Sequence, residues 1–332
     1  MKKNKTLPIV LIAVLLMGCI GILAALRITT NNTSPVRIYL ADDCSYRELC
    51  DTLVANGVIN HTGLFRLASQ VRGLKKNVIP GSYRVQPRTR QIALVQKLYR
   101  GQQDPIRLTI GKFRTPEQLE NYLNSKLMHN NFEIALDSFL LVRPDTYEVY
   151  WTITPQQFMQ RMAIEYDKFW KKTAKGSSLS RIEALKKNPV VCDGQLAAII
   201  IASIVEEETQ YGPEKPLVAS VYWNRLKRGI PLQADPTVKY AVGDFSLRRI
   251  LNVHLATESP FNTYIHPGLP PAPICLPSSS TLDAVISAPQ TEYLYFCASD
   301  KMDGTHRFAA TLAEHNRNAA LFHTALNQRG IK

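Results

Sequence analysis

The chain has 332 residues, 45% of them hydrophobic, and a formal charge of +13. That length and apolar content exclude a chain too polar to build a core and leave room for an anchor and two packed domains. The basic excess fits an anionic wall polymer, phospholipid headgroups or plain solvated charge. Nucleic acid is excluded as a partner if the chain is exported, as its N-terminus indicates.

Lys2, Lys3 and Lys5 precede residues 7–26, a run of twenty without a charge. About twenty apolar residues cross a bilayer core, and the leading lysines keep the tail cytoplasmic. The expectation is a cytoplasmic tail (1–6), one transmembrane helix (7–26) and a single-pass bacterial inner-membrane protein whose remainder lies outside the cytoplasm. A cleaved signal peptide has a shorter apolar region and a small-residue cleavage site. Leu16-Met17-Gly18-Cys19 loosely resembles a lipoprotein box, but the apolar run continues past it. Cys44, Cys50, Cys192, Cys275 and Cys297 would be exported, an odd number without metal-ligand spacing. Buried free thiols are expected, a Cys44–Cys50 bridge stays open, and neither metal nor cofactor is indicated.

Residues 27–35 are polar and end in proline, a linker signature. Residues 36–40 alternate as a strand. Ser45 and Glu48 form a capping-box pattern before a helix that Gly57 ends. A second helix is expected over 62–72, a strand over 82–85 and a third helix over 89–100. Together, residues 36–105 make a small β-α-α-β-α module. Thr115-Pro116-Glu117-Gln118 opens another helix, and 106–190 reads as a mostly helical connecting region. The last part, 191–332, reads as a second α+β domain. It has a buried helix over 194–209, an amphipathic helix over 215–229 and a long irregular stretch over 260–280. A strand pair at 293–298 and 306–310 follows, then a helix capped by Thr311. Strands and helices segregate, so the class is α+β.

The main chemical signal is the helix 194–209. Residues 196–205 carry one hydroxyl and no charge, and three glutamates follow, Glu206, Glu207 and Glu208. A helix apolar all round is a buried one. A carboxylate at its C-terminal end, among apolar neighbours, is disfavoured as an anion, which is what a general acid for glycosidic cleavage requires. A helical side chain leans over positions i−3 and i−4. For Glu206 these are the small Ser203 and Ala202, which leave space for a sugar, so Glu206 is the preferred acid. A solvated acidic helix end is the competing reading. Gln233, Asp235 and Thr237 alternate, so an extended run would send all three to one side to meet sugar hydroxyls and an acetamido group. Asp235-Pro236 equally reads as a helix cap. Asn262 and Tyr264 lie in the proline-stiffened stretch and suit a sugar amide and a ring, or simple turn chemistry. The histidines have no metal-ligand spacing and read as structural.

Ala202-Ser-Ile-Val-Glu-Glu-Glu-Thr209, Val218-Ala-Ser-Val-Tyr-Trp-Asn-Arg-Leu226, Leu232-Gln-Ala-Asp-Pro-Thr-Val238, Asn262-Thr-Tyr264 and Gly268-Leu-Pro-Pro271 follow one another in the order found in endolytic murein transglycosylases. Tyr293-Leu-Tyr-Phe296 and His306-x-Phe308 before Glu314-His-Asn316 extend the resemblance over nearly the whole exported chain. The resemblance implies one membrane anchor, a LysM-like module and a catalytic domain. It also implies cleavage of nascent peptidoglycan glycan strands beside peptidoglycan synthases. It places the single acid/base on the first glutamate after the apolar helix, Glu206. The candidate substrate contacts read from the residues are Ser203, Asn224, Gln233, Asp235, Thr237, Asn262 and Tyr264. Glu207 departs from the basic residue often found at that position in the family. Two other functions remain open: a hydrolytic muramidase using Glu206 and Asp235, and a non-catalytic peptidoglycan-binding scaffold.

Overall fold

The computed structural model describes residues 27–60, 62–174, 194–247 and 249–329. The described chain is mixed α and β and divides into two units. The first runs through Leu108 and adds Leu123–Asn131 and Tyr147–Thr154. The second comprises Thr109–Tyr122, Phe132–Thr146 and the chain from Pro155 onward.

In the first unit β1 (Val36–Leu40) pairs antiparallel with β2 (Gly81–Val85), Ile38 standing opposite Tyr83. Helices α1 (Tyr46–Ala55) and α2 (Gly63–Arg72) lie between the strands in sequence, and α3 (Gln91–Tyr99) follows. Alternation puts Ile38 and Leu40 of β1 into a core with Leu49, Leu53, Phe65, Tyr83, Leu94 and Leu98. The capping box forms as its sequence requires: Ser45 N–H donates to the Glu48 carboxylate at 2.7 Å, and Glu48 N–H donates to Ser45 Oγ at 3.2 Å. Residues 27–35 do not behave as a free tether. Asn31 N–H donates to Val58 O at 2.8 Å, and Asn32 Nδ2 donates to Val85 O at 3.2 Å, so backbone partners hold this polar stretch.

Two expectations need correction. Residues 106–174 are not simply helical, because β3 (Ile106–Ile110) pairs with β4 (Asp145–Val149) in a two-stranded sheet. Ile106-Arg-Leu-Thr-Ile110 has the period-two pattern of a half-buried strand, which the helix signals around it obscured. Helices α4 (Pro116–Lys126), α5 (Leu136–Phe139) and α6 (Pro155–Ala174) complete this region. The second correction concerns the single-pass anchor. No helix among the described residues is long and apolar enough to cross a membrane. The helix expected over 7–26, with the cytoplasmic tail before it, lies outside the described residues, as does the turn expected at 175–178. The transmembrane part of the fold class and the single-pass inner-membrane location are therefore withdrawn.

The second unit is organised around α7 (Gly194–Glu208), whose residues Ala197–Val205 are all buried. Against it pack α8 (Lys215–Lys227), α9 (Asp235–Val242) and α11 (Ser279–Ile286); the short α10 (Asn252–Leu255) lies between α9 and α11 in sequence. Ile201, Ile204, Val205, Val218, Tyr222, Leu232, Leu282 and Val285 share one core. The antiparallel pair β5 (Tyr295–Ala298) and β6 (His306–Ala309) precedes α12 (Leu312–Gln328), which Thr311 caps. Cys44, Cys50, Cys275 and Cys297 are all free, the second and third of them buried. Among the described residues no group of acidic, histidine and cysteine side chains is arranged to hold a metal.

Candidate active site

The three glutamates at the end of α7 meet three different environments. Successive helical residues are about 100° apart, so Glu206 and Glu208 leave the helix on nearly opposite sides. Glu206 turns toward the first turn of α11. Its carboxylate accepts from Ser278 N–H at 3.3 Å, from Ser278 Oγ at 2.8 Å and from the Thr281 hydroxyl, and lies 3.4 Å from Lys215 Nζ. Lys215 is itself buried and donates to Thr281 Oγ1 at 2.6 Å. Burial raises the Glu206 carboxyl, but the Thr281 and Ser278 hydroxyls and the Lys215 charge outweigh it, leaving the group below the ordinary carboxylate range. The N-terminus of α11 favours the same anionic state. The sequence argument counted the C-terminal end of α7 and missed the N-terminal end of α11.

Glu207 forms ion pairs with Lys112 at 2.8 Å and Arg114 at 3.0 Å. Burial pushes it up, yet these two cations hold it below its usual value. Arg114 also lies over the Phe245 ring, 4.6 Å from its centroid.

Glu208 differs from both. It accepts from the Tyr222 hydroxyl, which donates to Oε2 at 3.4 Å, and among the described residues no cation pairs with it. Burial, reinforced by the charge of Asp235 and opposed by the Tyr222 hydroxyl, raises its carboxyl to about 7. It opens on a cavity of about 280 Å³ that Tyr222 and Arg225 of α8, Gln233, Asp235, Tyr264 and Tyr295 help to line. The volume lies near the lower end of the roughly 300–1,000 Å³ typical of ligand pockets.

The other expected contacts divide. Gln233, Asp235 and Tyr264 reach this cavity. The alternation that suggested Gln233 and Asp235 does not exist, because Asp235 begins α9; the helix-cap reading of Asp235-Pro236 fails as well, since Ala234 holds the cap position and no side chain caps the helix. Gln233 sits at φ +51°, its Oε1 accepting from Arg225 at 3.1 Å. Tyr264 donates its hydroxyl to Asp235 Oδ1 at 2.6 Å. Ser203, Asn224, Thr237 and Asn262 are occupied with the fold instead. Ser203 Oγ donates to Ile200 O at 2.7 Å and accepts from Ile274 N–H at 3.0 Å. The space above the small residues of α7 is thus filled by the chain at 274–275. Asn224 Nδ2 donates to Thr291 O at 2.8 Å and Tyr293 O at 2.9 Å. Thr237 is buried, bonded to Ala234 O and Thr263. Asn262, also buried, ties down its loop through Leu255 O and Thr257 O, each at 2.9 Å. Sequence reasoning missed Tyr222, Arg225, Tyr295 and His315 as cavity residues. The 3.6-residue period placed Tyr222 and Arg225 on one side of α8, but nothing in the pattern said that side met a cavity.

Comparison with known proteins gives three findings. The model of the YceG-like family matches residues 38–321. A Bacillus subtilis (strain 168) protein named endolytic murein transglycosylase is 39% identical over 145 residues, 44% of this chain and 39% of the relative. A Streptococcus pneumoniae (serotype 2, strain D39) protein of the same name is 30% identical over 181 residues, 53% of this chain and 31% of the relative. The chain therefore spans well under half the length of these two relatives. A crystal structure of a YceG-like protein from Listeria monocytogenes is 23% identical, with a TM-score of 0.49, and covers 86% of this chain and 99% of that one.

Proposed function

The chain belongs to the YceG-like family; on that premise we propose that it is a peptidoglycan lytic transglycosylase, a lyase, with Glu208 rather than Glu206 as its acid/base. The names of the two relatives support the activity class and glycan strands as substrate. One observation carries the residue: of three consecutive glutamates, Glu208 alone opens on the cavity and is raised to about 7, while its two neighbours are clamped as anions. A group near 7 is protonated in a useful fraction of molecules at neutral pH and can both give and take a proton.

One carboxyl then carries both proton transfers. Glu208 gives its proton to the oxygen bridging MurNAc C1 and the next GlcNAc. The C1–O bond breaks and its electron pair leaves with the GlcNAc oxygen. The C6 hydroxyl oxygen of the same MurNAc closes on the cation-like C1, and its proton returns to Glu208. The product is a 1,6-anhydro-MurNAc end, no water enters, and the enzyme is restored. Peptidoglycan synthases, which supply new strands, are the protein partners this activity would act beside.

The rival with an observation behind it is a hydrolytic muramidase, since Asp235 shares the cavity with Glu208. Two carboxyls flanking a glycosidic bond are the usual hydrolytic arrangement. The test is incubation of the protein with purified peptidoglycan, with product ends read by mass spectrometry. Anhydro ends, abolished by Glu208→Gln and reduced but still formed by Glu206→Gln, support the proposal. Reducing-end MurNAc supports the muramidase. Sacculus binding without product formation leaves a non-catalytic scaffold.

A further inference from the structure

We propose that Asp235 is a second catalytic residue of this cavity, a standing anion that faces the sugar carbon as it becomes cation-like and neither takes nor gives a proton. The inference rests on Glu208 as the acid and assigns the remaining charge of the same site.

The two carboxyls that share the cavity occupy opposite electrostatic positions. Glu208 ends a helix, where the backbone dipole disfavours negative charge. Asp235 is the first residue of the eight-residue α9, at the end that favours it. Asp235 is exposed where Glu208 is only partly so, and it has a strong donor, the Tyr264 hydroxyl at 2.6 Å. Burial and this bond to Asp235 push the Tyr264 phenol above its ordinary value, so it stays a donor. Tyr264 is held in turn: Asn262 Oδ1 accepts its backbone N–H at 3.0 Å, and Asn262 is fixed by two carbonyls of its own loop. A buried asparagine thus fixes a tyrosine, and the tyrosine orients the carboxylate. Pairs of carboxyls whose surroundings drive their charge states apart divide the chemical labour between them.

The charge balance of the site calls for such an anion. Proton transfer from Glu208 leaves positive charge on the MurNAc ring until C6 oxygen closes on C1. Arg225 lines the same cavity with its charge largely committed to protein oxygens. Its Nε donates to Leu294 O at 2.7 Å, and its Nη1 donates to Pro231 O and Leu232 O, each at 3.0 Å. His315 also lines it, and burial with the nearby Arg225 charge lowers its imidazole, which keeps it neutral near pH 7. Tyr222 and Tyr295 are the remaining titratable groups of the lining, both phenols. Asp235 is then the carboxylate left to oppose a cation. It acts twice: before the reaction its charge favours the protonated form of Glu208, and during the reaction it stabilises the developing positive centre.

The experiment measures anhydro-MurNAc formation by the full chain, with Asp235→Asn and Tyr264→Phe variants, across pH. Asp235→Asn should lower kcat on the order of 100-fold. KM should change little, and the alkaline limb of the profile should move to lower pH, because removing a like charge lets Glu208 ionise sooner. Tyr264→Phe leaves Asp235 charged but unheld and should lower kcat less; it also serves if Asp235→Asn fails to fold. Unchanged kcat in both variants, or a change in KM alone, overturns the proposal, the second by making Asp235 a binding group. Reducing-end MurNAc from wild type that disappears in Asp235→Asn also overturns it, by making Asp235 a base for water. Failure of the Glu208 reading has a separate signature, a Glu208→Gln enzyme that still turns over.

Discussion

Replacing Glu208 by Gln should stabilise the fold, and by an amount that grows with pH. The wild-type carboxyl is raised from 4.5 to about 7, while in the unfolded chain it returns to its ordinary value. Below pH 4.5 the group is protonated in both states and costs nothing. As pH rises, the unfolded chain ionises and gains free energy that the folded chain cannot, until the folded group ionises as well above about 7. The gap of about 2.5 pH units, at about 1.4 kcal/mol each, puts the cost near 3 kcal/mol at pH 8. Gln has nearly the same shape and no charge, so Glu208→Gln escapes that cost. Guanidinium denaturation of both proteins at pH 4, 6 and 8 reads it from the midpoints. The stability difference should move in favour of Gln by about 3 kcal/mol between pH 4 and pH 8. A difference that stays flat with pH would refute the claim that the fold keeps Glu208 neutral, and with it the reason for choosing Glu208 as the acid. A stability gain on removing an active-site charge is the expected mark of a residue retained for chemistry.

The rate should follow the same ionisation: anhydro product formation falls as pH rises through about 7, where Glu208 loses its proton, and a profile still rising at pH 8.5 contradicts this. Glu206 should behave in the opposite sense, since its anion is stabilised by folding. Glu206→Leu leaves Lys215 buried without its counter-ion and should cost about 3–5 kcal/mol in denaturant titration. Glu206→Gln keeps a hydrogen-bonding shape, should cost about 1–2 kcal/mol, and should retain measurable turnover per folded molecule. Asn262→Ala removes two bonds to loop carbonyls and should cost about 1–3 kcal/mol, which thermal unfolding will show.

Local rules were read well where the signal is local. The Ser45–Glu48 capping box, the Thr311 cap and the apolar circumference of α7 each follow from a few adjacent residues, and each is found within a residue or two of its expected place. Pairing between distant segments was harder to read. Strand β3 needs β4, some 35 residues later, and its five residues lie among stronger helix signals. The site shows the same division. Gln233 and Asp235 were named from a supposed strand, yet they reach the cavity because the start of α9 and the residues before it bring them there, while Tyr264 reaches it from the loop it was named in. Asn224 and Asn262 have the chemistry of sugar contacts, but their amides are used up on carbonyls supplied by Thr291, Tyr293, Leu255 and Thr257.

The choice among three glutamates shows why the sequence stopped short. The argument for a neutral acid at the end of a buried helix applied to all three, because helix dipole and apolar neighbours are properties of the helix. What separates them is what each side of that helix meets. Residue 206 meets the first turn of α11, with a lysine and two hydroxyls; residue 207 meets Lys112 and Arg114; residue 208 meets a tyrosine and an open cavity. Lys112 lies 95 positions from Glu207 and Thr281 lies 75 positions from Glu206, so no local window contains the deciding groups. Each cation or hydroxyl that settles a neighbour as an anion also removes it as a proton donor. The proposed acid, Glu208, is the one of the three with no ion pair among the described residues.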